Sequence, residues 1–485
     1  MQGASGACDS ARHGSFPVAG EVIDLLLSTV VTTSMPPAKR AALSGWGRYP
    51  SAESDIFRPE KLSELAAIVS SDATSLIARG AGRAYGDAAL NQDHRVVDLQ
   101  RLNRMLAFDP DSGLLRCEAG VTLAAIIEVF LRRGFFPPVV PGTQFVTLGG
   151  SIAADIHGKS HHRDSSLATH VTGIELMLAS GEVKQCSRED NPDLFWATVG
   201  GMGLTGVILE VELRLHRVES AWFDGEIAIA ANLDEAIETF ERTERQYGYS
   251  VAWIDCAGTR GTLGRSVINL GNVASREALA PALRQQPLRI PTRFAPTVPF
   301  NLPNFTLSSL GIKTFNTAIY AMHRKGPRLF DYQSFFFPLD FIHHWNRIYG
   351  KRGFVQYQCV WPANESREGL IEMLEVIAKW GGGSFLTVLK KFGPQDGMLS
   401  FPMPGYTLAL DFPVSKGLME FLDRLDAMVL KRGGRVYLAK DARLKPEMMS
   451  AMYPNLARWQ QVKRAADPNN RFSSNLARRV GLLPS

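Results

Sequence analysis

The chain has 485 residues, of which 45% are hydrophobic and 21% charged, and its formal net charge is +5. A chain of this length usually folds around more than one hydrophobic core, so two or three domains are expected. The composition is that of a globular protein and argues against wholesale disorder. The mild positive charge suits a phosphate-bearing substrate or an anionic membrane surface. No basic run, zinc finger or RNA-recognition signature accompanies it, which argues against a nucleic-acid partner.

The cysteines indicate a reducing compartment. They are Cys8, Cys117, Cys186, Cys256 and Cys359, which lie far apart and form no Cys-x-x-Cys pair. Their odd number and spacing predict buried free thiols, with neither a disulfide framework nor a structural zinc site.

Residues 1–34 differ from the rest of the chain. The apolar run 22–33 is preceded by Glu21, interrupted by Asp24 and too short to span a bilayer. A signal peptide is not expected here, nor is a transmembrane helix expected elsewhere, and residues 1–34 are predicted to be a disordered tail.

The first half of the chain is dense in glycine and in short runs of β-forming residues. The predicted strands include Ser75–Ala78, Val96–Asp98, Gly120–Thr122 and Val207–Leu215, and the predicted helices are Pro59–Ser71 and Leu123–Arg133.

After residue 219 the pattern alternates between strands and helices. Phe223–Ile229 and Ser250–Asp255 are strand-like, and Asn232 is placed to cap the helix between them. This order of elements predicts an α+β arrangement.

A weak internal repeat follows. In each copy a strand that ends at a proline, Pro362 or Pro413, precedes a helix, a glycine cluster and a second strand. The second strands are predicted over Ser384–Lys390 and Arg435–Lys440. Two such units predict one sheet with its helices on a single face.

Residues 285–335 are rich in proline, phenylalanine and basic residues, with weak periodicity. They are interpreted as long loops, which in a compact protein are often lids or binding segments. The alternative is that these residues form surface loops without a function.

Two glycine-rich segments carry the first chemical signal. Arg79–Asp87 follows a predicted strand, and its closely spaced glycines would let successive backbone N–H groups turn toward one anion such as a pyrophosphate, with Arg79 or Arg83 adding charge. Pro141–His162 contains Gly149–Ala154, a run of small residues that suits close approach of an extended cofactor.

Three histidines follow the second segment. His157, His161 and His162 lack the carboxylate or cysteine spacing of a metal site, and a helix is not expected here. A contact of His157 with cofactor or substrate is favoured over metal binding.

Gly201–Gly206 is a literal GxGxxG, the nicotinamide-binding fingerprint. That fingerprint requires a helix to begin at the glycines, whereas the residues that follow form the alternating run Val207–Leu215. A turn that enters a strand is therefore predicted instead. In the second half, alternation places Gln356 and Gln358 on one strand face, which indicates a polar cavity or a solvated edge.

Together these residues resemble the vanillyl-alcohol-oxidase type of FAD-linked oxidoreductases. The resemblance runs from Ser44 to Leu483 and includes, in order, Ala78–Asp87, Asp155–His162, Leu194–Gly201, Gln356–Gln358, Leu399–Gly405 and Ala439–Asp441. It implies an α+β fold with a two-subdomain FAD-binding domain over residues 35–218. A substrate-binding cap domain with an antiparallel sheet and helices on one face is implied over 219–434, and a C-terminal segment, 435–485, would return to the FAD domain.

The resemblance also implies residue roles. The residues implied to bind FAD are Arg79, Gly80, Ala81, Gly82, Arg83, Ala84, Tyr85, Gly86, Gly142, Thr147, Gly149, Gly150, Ala154, Asp155, Ile156, His157, Ile208 and Tyr437. Those implied to face the substrate are Lys159, Trp253, Gln356, Gln358, Lys390 and Lys440. The catalytic set would be Lys440, Gln358, Lys390 and His157; Lys440 would polarise an alcohol or act as base, and the second role needs a depressed pKa.

Two positions depart from the family pattern. Sugar-lactone oxidases of the wider group carry a histidine for covalent flavin attachment where this chain has Arg83, so non-covalent FAD is implied. The branch most similar to this chain carries a cysteine beside the flavin where this chain has Ala409.

The implied reaction is oxidation of the 2′-hydroxyl of a polyprenyl-phosphoryl β-D-ribofuranose to the 2′-keto sugar. It is the first half of an epimerisation to an arabinose donor for cell-envelope polysaccharide. An NAD(P)H-dependent keto-reductase would be the partner of a cytoplasmic enzyme in peripheral contact with the inner membrane. The alternatives are an oxidase of aldonolactones or other soluble sugar alcohols, and a non-catalytic flavin or lipid carrier. The segment 285–335 favours a lipid phosphate, and Gln358, Lys390 and Lys440 argue against a carrier.

Overall fold

The computed structural model describes residues 35–72, 75–258, 260–290, 294–303, 309–381, 384 and 386–483. The predicted tail, residues 1–34, and two glycines of the predicted repeat, 382 and 383, lie outside the described residues.

The strands before residue 219 form two main sheets. They are β1 (Lys39–Ser44), β2 (Ser51–Phe57), β3 (Leu76–Arg79), β4 (Arg95–Asp98), β5 (Met105–Asp109), β6 (Leu114–Glu118), β7 (Phe135–Phe136), β8 (Val171–Met177), β9 (Val183–Cys186), β10 (Val207–Arg214) and β11 (His216–Arg217). The first sheet has the order β1-β2-β4-β3, with β4 parallel to both neighbours. The second is antiparallel, in the order β5-β6-β10-β8-β9, and β7 pairs with β11.

Short helices connect these strands. They are α1 (Leu62–Ser70), α2 (Leu123–Phe130), α3 (Leu148–Ala153), α4 (His161–Asp164) and α5 (Pro192–Thr198), with 3₁₀ turns at Leu131–Arg133 and Leu167–His170. The two predicted helices are confirmed. The predicted strand Gly120–Thr122 is wrong, because Thr122 forms only an isolated bridge with Thr147 and accepts a hydrogen bond from the amide of Ala125 as the cap of α2.

The second half builds one antiparallel sheet. Its strands are β12 (Trp222–Ala230), β13 (Tyr249–Ile254), β14 (Ser266–Val273), β15 (Gly326–Asp331), β16 (Phe354–Pro362), β17 (Thr387–Phe392), β18 (Gly405–Pro413) and β19 (Arg435–Val436). Their order is β15-β12-β14-β13-β17-β18-β16-β19.

One layer of helices covers this sheet. The helices after residue 219 are α6 (Leu233–Thr243), α7 (Pro281–Arg284), α8 (Ser309–Met322), α9 (Tyr332–Phe336), α10 (Ser366–Trp380), α11 (Leu418–Lys431), α12 (Pro446–Met452), α13 (Leu456–Ala466) and α14 (Asn475–Arg479), with 3₁₀ turns at Arg260–Thr262 and Trp345–Tyr349. Buried side chains of α6, α10 and α11 share one hydrophobic cluster with Leu389, Leu408 and Leu410 of the strands. The predicted α+β layer with helices on one face is confirmed, as is the cap of α6, where Asn232 accepts from the amide of Glu235 at 3.0 Å.

Two predictions about the second half of the chain are wrong. The long loops predicted over residues 285–335 are wrong in part, because the segment contains α8 and β15, and β15 pairs with β12 at the sheet edge. The buried face of α8 carries Asn316, which donates to Asp255 at 2.8 Å, so a polar residue interrupts the apolar period that would have revealed the helix. The strand predicted over Arg435–Lys440 ends at Val436, and residues 437–440 form a turn closed by the Lys440 amide on the Tyr437 carbonyl.

Residues 471–479, near the C-terminus, contact the first half of the chain. The amide of Leu76 donates to the carbonyl of Arg471 at 2.8 Å, and Phe472 packs in the cluster that also holds Leu76. Arg479 forms an ion pair with Asp87 at 2.6 Å. The domain boundaries themselves stay predictions.

The four described cysteines, Cys117, Cys186, Cys256 and Cys359, are free and buried, as predicted. Within the described ranges, no helix has both the length and the apolar character needed to cross a bilayer.

Candidate active site

The central strands of the eight-stranded sheet carry polar side chains on one face. Directly paired residues of an antiparallel ladder point to the same side, and successive residues alternate. The pairs that share this face are Gln356 with Asp411, Gln358 with Ala409, Val388 with Ala409, Lys390 with Thr407, and Trp253 with Val388. The opposite face holds Leu389, Leu408 and Leu410 against the helices. The predicted polar cavity lined by Gln356 and Gln358 is consistent with this arrangement, since both amides are buried.

Gln358 fixes the position of His157. Its amide nitrogen lies 2.9 Å from His157 Nε2 and 3.1 Å from Thr407 Oγ1. Burial, with further contributions from the charges of Lys390 and Lys440, lowers the pKa of His157 well below its usual value. The imidazole is therefore neutral at physiological pH, and its Nδ1 is buried without a hydrogen-bond partner in the described part of the chain.

The turn after β19 brings Tyr437 and Lys440 to the same face. The Tyr437 amide donates to the carbonyl of Gln358 at 2.9 Å, and its hydroxyl donates to the carbonyl of Ala154 at 2.5 Å. The Tyr437 ring stacks on Phe401 at 4.7 Å between centroids. The ammonium nitrogen of Lys440 lies 3.8 Å from the centre of the Tyr85 ring, a cation–π contact.

Three lysines around this face have depressed pKa values. Burial lowers the pKa of Lys440 to about 7 and that of Lys390 to about 8. Burial, together with the charge of Lys390, lowers the pKa of Lys159 to about 7. Among the described residues, the ammonium groups of Lys390 and Lys440 have no hydrogen bond or ion pair. Such a cluster is poised to lose protons near neutral pH or to receive an anionic ligand.

Lys159 is held at one side of the cluster. Its ammonium donates to the carbonyl of Phe335 and lies 4.9 Å from the centre of that ring. Its own carbonyl accepts from the amide of Ser250 on β13. The structure thus places Lys159 close enough to Lys390 for the two charges to interact.

Asp411 is a site residue that the sequence reasoning missed. Its carboxylate accepts from the Gln356 amide at 2.6 Å and from the Tyr349 hydroxyl at 2.9 Å. Burial raises the pKa of Asp411 to about 7, against the opposing effects of these hydrogen bonds and of Lys440. A signal was present, because Asp411 is a lone acid in an otherwise apolar strand; no local signal marks Tyr349.

The first glycine-rich loop, residues 80–86, lies beside this face. None of the backbone N–H groups of residues 80–84 donates to a protein acceptor within the described part of the chain. Gly82 has φ +64°, a conformation that favours glycine. Consecutive free amides around such a residue are the geometry that binds a pyrophosphate, which is the chemistry predicted for Gly80–Ala84.

Glycines also let this loop approach its neighbours. A Cβ on Gly80 would overlap the Thr147 side chain of the second glycine-rich segment, and one on Gly86 would overlap the carbonyl of Asp441. The Tyr85 amide donates to the carbonyl of Ala439 at 3.0 Å. The loop is thus fixed between the second glycine-rich segment and the turn that carries Lys440.

The two arginines of this loop differ in their contacts. Arg79 donates to the carbonyls of Ser44 and Ala89, at 2.7 and 3.1 Å, so its guanidinium is already hydrogen-bonded to the protein backbone. Arg83 stacks on Trp46 at 4.2 Å, and its Nε is buried without a partner in the described residues. Of the two, Arg83 is therefore the one with an unused buried donor.

The second glycine-rich segment is not wholly a loop. Residues Leu148–Ala153 form α3, capped by Thr147, and the amides of Leu148 and Gly149 donate to carbonyls of the α2 entry. Gly149 packs on Ala119 and Gly150 on its own cap, whereas a Cβ on Gly142 would meet nothing within 4 Å. This segment therefore presents small side chains and open space at Gly142 rather than a run of free amides.

The end of that segment is strained and buried. Asp155 has φ +43°, and its carboxylate accepts from the Ser400 hydroxyl at 2.5 Å. Burial raises the pKa of Asp155 to about 6. The neighbouring Ile156 is buried in the same hydrophobic cluster as Ile208 of β10.

The other two histidines are engaged by protein groups. His161 Nδ1 accepts from the amide of Gly393 at 3.2 Å, and His162 Nε2 lies 3.1 Å from the carbonyl of Tyr247. The expectation that no helix forms here is wrong, because α4 begins at His161; one turn is short enough to leave no periodic signal. The prediction for Gly201–Gly206 is confirmed, since these residues turn directly into β10.

Models of two known families match parts of the chain. One describes a FAD binding domain and matches residues 55–187, and the other describes D-arabinono-1,4-lactone oxidase and matches residues 410–480. The first match contains the loop with free amides, and the second contains Asp411 and Lys440.

Similarity to individual proteins extends further. The chain is 38% identical over 465 residues to decaprenylphosphoryl-β-D-ribose oxidase of Mycolicibacterium smegmatis, which covers 93% of this chain and 100% of the relative. An uncharacterised protein of Streptomyces coelicolor is 35% identical over 75% of this chain and 100% of its own length. L-gulonolactone oxidase of Mus musculus is 29% identical over 33% of this chain and 37% of its own.

Proposed function

The chain belongs to the family of FAD-dependent oxidoreductases that includes decaprenylphosphoryl-β-D-ribose oxidase, and we propose that it oxidises the 2′-hydroxyl of a polyprenyl-phosphoryl β-D-ribofuranose. The observation that carries the proposal is the polar sheet face, where Gln358, Lys390 and Lys440 meet His157 beside a loop of free amides. The product is the 2′-keto sugar, from which an arabinose donor for cell-envelope polysaccharide can be made.

The residues present fit FAD. The unpaired amides of residues 80–84 suit its pyrophosphate. Arg83 Nε and His157 Nδ1 are buried and have no hydrogen-bond acceptor among the described residues, so the cofactor could supply one. Residues 79–86 would hold one side of the cofactor; the other side would be lined by Gly142, Thr147, Gly149, Gly150, Ala154, Asp155, Ile156, His157, Ile208 and Tyr437. When bound, FAD supplies the acceptor for the hydride that leaves C2′.

Lys440 is the residue we assign to the hydroxyl proton. With a pKa lowered to about 7 by burial, a large fraction of Lys440 is the neutral amine at physiological pH and can accept that proton. His157 is less suited, because burial lowers its pKa well below the usual value and its Nε2 already accepts from the Gln358 amide. Gln358 then orients the imidazole and the sugar, while Trp253 and Gln356 wall the cavity.

Lys159 and Lys390 suit the phosphate of the substrate. Both ammonium groups are buried and the charge of Lys390 lowers the pKa of Lys159, so a nearby anion would stabilise the pair. Binding of a phosphodiester between them would restore their charge, so the same groups would select a phosphorylated sugar over a free one.

Attachment of FAD is proposed to be non-covalent. The position where relatives attach flavin is Arg83, whose guanidinium has no nucleophilic character and instead stacks on Trp46. We expect acid precipitation of the holoenzyme to leave the yellow flavin in the supernatant and the protein pellet at its unmodified mass. Flavin retained in the pellet would contradict this.

Anaerobic bleaching of the flavin tests the substrate. A short-chain polyprenyl-phosphoryl β-D-ribofuranose is expected to reduce the 450 nm band faster than L-gulono- or D-arabinono-lactone at equal concentration. Trapping the product with borodeuteride should place deuterium at C2′ in both ribose and arabinose forms. Because Gly201–Gly206 does not open a nicotinamide site, we propose that a separate NAD(P)H-dependent keto-reductase completes the epimerisation.

A lactone oxidase is the second candidate. It is favoured by the match of residues 410–480 to the D-arabinono-1,4-lactone oxidase model. Faster bleaching by either lactone than by the phosphoryl ribose would establish it and reject the first proposal. No bleaching by any of these compounds, with FAD bound, would favour a non-catalytic carrier.

We further propose that residues 294–303 and 309–341 contact the membrane where a lipid substrate resides. Exposed large apolar side chains concentrate here, with Phe294 88%, Met322 68% and Phe300 64% exposed. Exposed basic residues interleave with them, including Lys313, Arg324, Lys325 and Arg328. Apolar side chains among cations match the interfacial region of an anionic bilayer.

Vesicle sedimentation checks this contact. The protein should sediment with phosphatidylglycerol vesicles and less with phosphatidylcholine vesicles, and F294S/F300S should lower the sedimented fraction about tenfold. Leu106→Ser is the matched control, because Leu106 is exposed outside this segment. Equal sedimentation of the double variant and the wild type would contradict the contact.

A further inference from the structure

Asp411 is a buried carboxylate on the reactive face of the sheet. Its two oxygens accept only from neutral donors, the Gln356 amide and the Tyr349 hydroxyl, and no lysine or arginine of the described residues forms an ion pair with it. Burying a carboxylate without a counter-ion is costly, so a residue of this kind needs a role that offsets the cost.

A connected set of side chains leads from Asp411 to Lys440. Tyr349, which donates to Asp411, stacks on Phe354 at 3.9 Å between ring centres, and the Phe354 ring meets the Tyr85 ring edge-on at 5.5 Å. The face of the Tyr85 ring carries the Lys440 ammonium at 3.8 Å. Through Tyr349 and Phe354 the carboxylate therefore helps to fix the Tyr85 ring beneath Lys440, and its charge favours the ammonium.

We propose that Asp411 is a positioning residue: its negative charge favours the Lys440 ammonium, and its hydrogen bonds hold Gln356 and the ring stack of Tyr349, Phe354 and Tyr85 beside it. The catalytic meaning of this role rests on the function proposed above. The electrostatic role itself concerns only residues of this chain and can be measured without substrate.

The groups around Lys440 determine the sign of the effect. Burial and the charge of Lys390 lower its pKa, whereas Asp411 raises it. His157 and Tyr85 also face it, and both are uncharged at neutral pH because burial lowers the pKa of His157 and raises that of Tyr85. Among the described residues that act on Lys440, only the charge of Asp411 favours the ammonium, so neutralising Asp411 should lower the pKa of Lys440.

The test is the pH dependence of acetylation of Lys440 in the substrate-free holoenzyme, with acetic anhydride as the probe and peptide mass spectrometry as the readout. In D411N the midpoint for Lys440 should move to lower pH by about one unit, because an opposite charge nearby is removed. Exposed Lys431 is an internal standard whose midpoint should not move. An unchanged Lys440 midpoint, in a variant that retains FAD, would overturn the proposal.

A matched control separates this role from a structural one. Tyr357 donates to Asp426 at 3.0 Å on the helix-covered side of β16, also a buried tyrosine–aspartate hydrogen bond. Y357F should leave the Lys440 midpoint unchanged. A shift of equal size in Y357F would assign the effect to general loosening and would overturn the proposal.

A second variant covers the case in which D411N does not fold. Y349F keeps the ring that stacks on Phe354 at 3.9 Å but removes one hydrogen bond that favours the Asp411 carboxylate. The Lys440 midpoint should shift in the same direction by less, and no shift would count against the proposal. If the phosphoryl ribose fails to bleach the flavin while these shifts appear, the proposed function fails and the role of Asp411 stands.

Discussion

Replacing Lys440 by methionine is expected to slow anaerobic flavin reduction by about 10²- to 10⁴-fold, the range that removal of a general base usually produces. Methionine retains the length of the side chain over the Tyr85 ring but cannot accept a proton. The amount of bound FAD should stay at the wild-type level, because the loop amides that suit the pyrophosphate are untouched.

The pH profile identifies the role of Lys440 more sharply than the rate alone. The pKa of Lys440 is lowered to about 7, so the neutral amine is scarce at pH 6 and predominates at pH 8. The wild-type rate of flavin reduction should therefore rise with pH through about 7 and level off above it. K440M should lose this rise, whereas a lysine that acts as a cation would give a rate that falls over the same interval.

Stability measurements separate catalysis from folding in this variant. Removing a buried charge beside Lys390 relieves repulsion, so K440M should unfold at the same temperature as the wild type or a higher one. Lys445→Met is the matched control, since Lys445 is exposed and pairs with Asp423 at 2.9 Å. Flavin reduction by K440M at the wild-type rate would show that another group takes the proton.

Replacing Gly86 by alanine is expected to abolish FAD binding and to lower the free energy of unfolding by about 1–3 kcal/mol, the usual cost of overpacking a tight contact. The added methyl group would overlap the carbonyl of Asp441 and approach the Cα of Ala442 at 3.2 Å. Both are backbone atoms, so neither can rotate away. The loop and the turn that carries Lys440 must separate.

That separation has two consequences that can be measured. The bond from the Tyr85 amide to the Ala439 carbonyl, now 3.0 Å, would break, and the amides of residues 80–84 would lose their common orientation. The ratio of flavin to protein absorbance after purification measures the loss of FAD binding. Urea unfolding measures the change in the free energy of unfolding.

Gly261→Ala is the control for the glycine substitution itself. A Cβ on Gly261 would meet nothing within 4 Å, and the residue lies in a 3₁₀ turn outside the site. This variant should keep both its FAD and its stability. A G86A protein that is yellow and as stable as G261A would show that the loop and the turn are not in the contact described.

Much of this site can be predicted from local patterns. The glycine spacing of residues 80–86, the alternation that puts Gln356 and Gln358 on one face and the failed fingerprint at Gly201–Gly206 each depend on a few neighbouring residues. The backbone conformations they require are set by sterics within one turn or strand, so the sequence by itself determines them.

Other features depend on which strands pair. Asp411 becomes a site residue only because β18 pairs with β16 in the register that sets it beside Gln356, fifty-five positions away. The turn at Tyr437–Lys440 exists because the Tyr437 amide bonds to β16 and the Ala439 carbonyl bonds to the first loop. Neither contact leaves a local trace, so the strand predicted over these residues was extended too far.

The sequence by itself thus determined the first glycine-rich loop and the polar strand face. Only the tertiary structure decided which residues meet across them and what protons they hold. Burial is the physical reason, because a lysine has an ordinary pKa in a solvated chain and a depressed one when packing removes water from Lys159, Lys390 and Lys440 together. The desolvation arises only when the sheet and the loops pack together, so it cannot be read from any single segment of the chain.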